Sequence, residues 1–253
     1  MGKQPHLLVE DDALADVALV PGDPGRVDRI ACHCADATTV ARNREYKVVN
    51  ATYEGHDLTV CSTGIGAPSA AIAAEELQAV GVETLLRVGT TGALQRGVEI
   101  GDMVVATGAA KDEGTTRRYE SETVPAVPDY GVLSALVDAA RDHEERAAGG
   151  SGGVHVGPVV TDDAFYAETD EYVAEWEDAG LLAVEMEAAA LFTLARRKNM
   201  AAGAVCTVDG NLVEGTQKSE TDDEELPEKA KDNVDRAIRI ALDAVTRLSA
   251  TRE

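Results

Sequence analysis

The chain has 253 residues and a net charge of −23, from 46 acidic and 23 basic side chains. Such a field repels polyanions, which argues against nucleic acid and acidic membrane surfaces as partners. A hydrophobic content of 44% excludes a disordered chain, and no apolar run reaches the length that spans a bilayer. The opening MGKQPHLLVEDDALAD lacks the apolar centre of a signal peptide, so a cytoplasmic protein is expected. The acid is spread along the chain, with few lysines and an aromatic content of only 4%. That composition suggests a halophilic protein, since salt screens the self-repulsion of such a surface. The length suits a single α/β domain, residues 1–253, with a sizeable core of its own.

In chain order, short apolar runs alternate with longer amphipathic ones. VALVPGD is a β-branched run ending in a Pro/Gly turn, and HDLTVCST is a second strand. Gly-Ile-Gly-Ala-Pro then leads into a helix, SAAIAAEELQAVG. TLLRVGTTGAL, DMVVATGAA and VHVGPVVT read as strands, and LLAVEMEAAALFTLARRK begins as a strand and becomes a helix. AAGAVCTVDG is the last strand, and EKAKDNVDRAIRIALDAVTRL has the three-to-four spacing of an amphipathic helix. RAAGGSGG and GTQKSETDDEELPEK are expected to be loops. Alternating strands and helices predict an α/β fold with a mixed, mostly parallel central sheet flanked by helices. Cys61 and Cys206 lie in apolar runs and read as core residues, while Cys32 and Cys34 lack a second pair at zinc spacing.

Four segments fall near strand ends, where α/β proteins place ligands. Pro21-Gly22-Asp23-Pro24-Gly25-Arg26 is a tight turn whose exposed amides and nearby guanidinium suit a phosphate. Arg87 is on an apolar strand, where burial demands a partner, and Gly-Thr-Thr-Gly follows it. Glu185 and Glu187 are acceptors suited to the paired hydroxyls of a sugar. Asp209, beside Gly210, could supply an acid to a leaving group. Gly64-Ile65-Gly66 lacks the third glycine of a dinucleotide fingerprint.

VPGDPGRVDRIA, NREY, CSTGIGAPSAAIAAEEL, LRVGTTGAL, GDMVVATGA, DDAFY and VEMEAAAL follow in one order and spacing. In this the chain resembles the uridine phosphorylase and hexameric purine nucleoside phosphorylase family, from about His6 to the last helix. The resemblance implies phosphate-dependent cleavage of a ribonucleoside to ribose 1-phosphate and free base, with no cofactor and with phosphate as co-substrate. It implies that Gly22, Arg26, Arg87 and Thr90 hold phosphate, with Arg44 reaching the phosphate of a neighbouring subunit. His6 would cross the same interface to the ribose, Met186 and Glu187 would line the ribose, and Phe165 would meet the base. Glu45 matches a position that can hold potassium between subunits. A homo-oligomer of dimers, assembled as a hexamer, is implied as well.

The base pocket departs from both branches of that family. Where the uridine branch has Gln and Arg, this chain has Thr169 and Glu171, with Glu168 close by. A carboxylate suits the adjacent N1–H and amine donors of guanine better than the two carbonyls of uracil. A 6-oxopurine nucleoside, guanosine or inosine, is therefore the expected substrate, with uridine as the alternative. A nucleosidase of the same fold is more distant, because water needs no set of phosphate arginines. Asp209 stands one place earlier than the acid of the purine branch, which in a regular strand would turn it to the opposite face.

Overall fold

The computed structural model describes residues 2–11, 13–146, 152–216 and 228–250, of which 228–232 and 249–250 are described by their backbone alone. The two expected loops fall largely outside the described residues. The strands are β1 (Val17–Leu19), β2 (Ala35–Asn43), β3 (Tyr46–Tyr53), β4 (His56–Cys61), β5 (Thr84–Ala93), β6 (Met103–Asp112), β7 (Val154–Asp162), β8 (Ala183–Glu185) and β9 (Ala201–Asn211). The helices are α1 (Pro24–Ala31), α2 (Ala67–Ala79), α3 (Tyr130–Arg146), α4 (Asp170–Asp178), α5 (Ala188–Arg197) and α6 (Glu228–Ala250).

All nine strands join one mixed sheet in the order β2-β3-β4-β1-β5-β8-β7-β6-β9. β5 organises it. One edge of β5 pairs with β1 along its first residues and with β8 at its end, and the other edge pairs in parallel with β9. Because β9 also pairs with β6, β6 with β7 and β7 with β8, the strands β5-β9-β6-β7-β8 close on themselves. Among the described residues, closure leaves no open edge on this half of the sheet, and the nine-residue β2 is the exposed edge at the other end.

Helices cover both faces. The alanines of α2 and α5 pack closely on one side, with Ala70, Ala73, Ala74, Ala188, Ala189 and Ala190 fully buried. The other side holds α1, α3 and α6, whose Ile238, Ile240, Leu242 and Val245 are fully buried. Each such side chain contributes about 1.5–3 kcal/mol of burial, which explains why α6 follows the spacing read from the sequence. Cys61 and Cys206 are buried as expected, and all four cysteines are free thiols. No helix among the described residues is long and apolar enough to cross a membrane.

β1, β4, β5 and β9 run parallel, so their C-terminal ends open on one side of the sheet. The loops after β1 and β4 are joined there: Thr63 N–H donates to Pro21 O at 2.8 Å and Gly64 N–H to Gly22 O at 3.0 Å.

Candidate active site

A cavity of about 900 Å³ opens at these strand ends. Gly22 and Arg26 come from the β1–α1 turn, Arg87 and Thr90 from β5, Met186 and Glu187 from the β8–α5 junction, and Asp209 from β9. Four separate motifs thus meet in one place. Glu45 and Phe165 line the cavity too.

Arg87 is buried to 4% exposure. Its Nε donates to Glu185 at 2.8 Å and its Nη2 lies 2.5 Å from Glu187. Burial works against the guanidinium, but Glu187 and Glu185 outweigh it and its pKa rises. Glu185 also accepts from the backbone N–H of Glu187 and Ala188 and from Thr161 Oγ1 at 2.5 Å. Glu185 is therefore engaged in orienting Arg87 and starting α5, and is not available to a sugar. Glu187 keeps one oxygen on Arg87, while Oε1 accepts from Gly66 N–H at 2.6 Å. The glycine pair at 64 and 66 thus serves a carboxylate rather than a dinucleotide. Burial raises the Glu187 pKa, and Glu185 adds to the rise against the opposing pull of Arg87.

Gly64 has φ +72°, and a Cβ there would lie 2.6 Å from Ser69 Oγ and 2.7 Å from Glu45 Cγ. Only glycine allows this crossing. The β1–α1 turn differs from the sequence expectation. Asp23 caps α1, accepting from Gly25 N–H at 2.8 Å and Arg26 N–H at 3.1 Å, so these two amides are not bare. Arg26 Nη1 donates to Val88 O at 3.1 Å, and burial, with Arg87 second, lowers the Arg26 pKa. On β5, Thr91 Oγ1 donates to Val184 O at 2.6 Å while its neighbour Thr90 faces the cavity.

Asp209 reaches the cavity through a register shift. Thr91 pairs with Val208 but Gly92 pairs with Gly210, which leaves Asp209 as an extra residue in β9. Such a bulge re-aims a side chain that strict alternation would turn away.

Four predicted positions lie outside the cavity. Thr169 is the N-cap of α4, its side chain accepting from Tyr172 N–H, and Glu171 is exposed on the first turn. Neither lines the cavity. A 3-10 turn over Phe165–Ala167 brings Glu168 to the cavity in their place, and Asp162, at the end of β7, lines it as well. Sequence reasoning passed over Asp162 and gave Glu168 only a secondary part. A cap-type Thr followed by Asp-Glu is the signal that marks residue 169 as a helix start. Arg44 is exposed, has φ +52°, and does not line the cavity of its own chain. His6 is also outside it, held by Glu76 at 2.5 Å with 38% of its side chain exposed. Beside Glu45 the donor set in one chain is its carboxylate and Ser69 Oγ, 3.1 Å apart. Among the described residues no group of three or more metal-ligating side chains occurs. A cation at Glu45 would need oxygens from a second subunit.

The fold and the cleft together define the class: an α/β enzyme whose cavity at the strand ends gathers buried arginines and carboxyl groups. The chain belongs to the phosphorylase superfamily, whose family model matches residues 16–246. It is 66% identical over 248 residues to a guanosine phosphorylase of Halorubrum lacusprofundi, covering 98% of this chain and all of the relative. It is 39% identical to a uridine phosphorylase of Thermococcus kodakarensis, over 84% of this chain and 79% of that one. The crystal structure of a uridine phosphorylase from Vibrio fischeri superposes with a TM-score of 0.84 at 32% identity, covering 97% and 98% of the two chains.

Proposed function

We propose that this enzyme cleaves guanosine with inorganic phosphate, giving ribose 1-phosphate and guanine. The observation that carries the reading is the convergence of Gly22, Arg26, Arg87 and Thr90 beside Met186 and Glu187 in one cavity. Cations and a hydroxyl fix an oxygen nucleophile at one end. Glu187, next to it, suits the ribose hydroxyls. As the bond to the base breaks, the sugar becomes cation-like, and fixed groups lower the barrier by orientation and electrostatics.

The choice of guanosine has two supports. The relative at 66% identity bears that name. The base end carries Asp162, Glu168 and Asp209, and carboxylates match the N1–H and amine of guanine while opposing the carbonyls of uracil.

We also propose that the site is completed across a homodimer contact, within a larger oligomer, in the cytoplasm. Among the described residues Arg26, Arg29 and Arg87 line the cavity with Asp23, Glu45, Glu185 and Glu187, and Arg29 is paired with Asp235 at 2.7 Å. Carboxyl groups outnumber cations there, which makes a poor anion site, and an exposed Arg44 from a neighbour would redress the balance.

The test is kcat/KM for guanosine, inosine and uridine at saturating phosphate. Guanosine is expected to lead uridine by about tenfold or more, since an unmatched buried polar group costs about 1–3 kcal/mol. A preference for uridine of that size contradicts the base assignment and leaves phosphorolysis standing.

A further inference from the structure

The base end of the cavity holds Glu168 together with Asp162 and Asp209. Glu168 follows the turn at Phe165–Ala167 and is half-buried. Among the described residues, Asp162 from the end of β7 and Asp209 from the bulge in β9 act on it. Burial has the largest effect on its carboxyl, and the two aspartates add to it, pushing the pKa up to about 7. Asp209 stands in a different setting, since its charge also acts on the Arg26 guanidinium. Glu168 thus lines the cavity beside Asp162 and Asp209, a half-buried place among acids that favours its protonated form.

We propose that Glu168 is the proton donor to the departing purine, an inference that rests on the phosphorolytic reading of this site. A phosphate oxygen forms its bond to C1′ as the C1′–N9 bond breaks, and that electron pair goes to the purine. The Glu168 O–H proton passes to N7, leaving Glu168 as a carboxylate and guanine as a neutral base. Glu168 then regains a proton from water.

7-Methylguanosine separates this role from a merely structural one. Its base already carries a positive charge, so it leaves as a neutral species without receiving a proton. Glu168→Gln should lower kcat/KM for guanosine with phosphate by about 10²-fold or more. It should lower kcat/KM for 7-methylguanosine by less than about threefold. In the unaltered enzyme kcat for guanosine should fall as pH rises through about 7, because the acid form is required. That limb should be missing in Glu168→Gln, and missing for 7-methylguanosine. An equal loss on both substrates, no loss on guanosine, or a guanosine-selective loss seen in Asp209→Asn but not in Glu168→Gln overturns the proposal alone. Absence of phosphate-dependent cleavage of either nucleoside by the unaltered enzyme overturns the phosphorolytic reading with it.

Discussion

Arg87 shows how a single side chain joins stability to chemistry. The sequence alone suggests that Arg87→Ala stops turnover and spares the fold. The ion pairs change that expectation, because the change strands Glu185 and Glu187, whose side chains are 1% and 6% exposed. Removing one partner from a buried pair costs about 3–5 kcal/mol. Thermal unfolding should show a large drop in Tm for Arg87→Ala. Arg87→Lys keeps the charge but loses the fork that serves both carboxylates. It should retain most of the Tm and lose about 10²-fold in kcat/KM. An unchanged Tm in the alanine variant, or near-normal rates in the lysine variant, would contradict this. At this scale the grouping of several candidate residues in one cavity was legible. Gly22, Arg26, Arg87, Thr90, Met186 and Glu187 sit in strand-end motifs whose geometry follows from the strands. Thr169 and Glu171 were not placed correctly, because one short 3-10 turn decides which of several neighbouring polar residues faces inward.

Local devices within elements matter as much as their order. The cap of α1 sets a prediction. Asp23→Asn keeps the cap but removes a negative charge beside Arg26, a change of about 0.3–1 kcal/mol near a helix N-terminus. The KM for phosphate should fall about two- to fivefold, with Tm nearly unchanged, and a rise in that KM would count against the phosphate assignment. Seven strands and the helices at α2, α5 and α6 were legible from apolar runs and spacing. The hairpin of β2 and β3 was not, since ADATTVARN is exposed along nearly its whole length and shows no alternation. The bulge at Asp209 was foreseen only as a question, because it depends on how β5 and β9 pair. The sheet is also more evenly mixed than the reading suggested, since β2, β3 and part of β9 pair antiparallel.

The whole molecule is governed by its charge. A net −23 over a surface of 11268 Å² repels itself at low salt. The Debye length shrinks from about 10 Å at 0.1 M salt to about 3 Å at 1 M. Tm should therefore rise steadily as KCl is raised across about that range, and a flat or falling Tm would show that the acidity is incidental. The class of fold was legible at this scale from alternation alone. The closed circuit of strands was not, because it arises from pairings between residues far apart in the chain.

The central claim is that phosphate is the nucleophile. The direct measurement is product analysis of guanosine incubated with and without inorganic phosphate. Guanine should appear with phosphate, in equal amount with ribose 1-phosphate, and be nearly absent without it. Equal release of guanine in phosphate-free buffer, with free ribose as the second product, would contradict the account and make the enzyme a hydrolase.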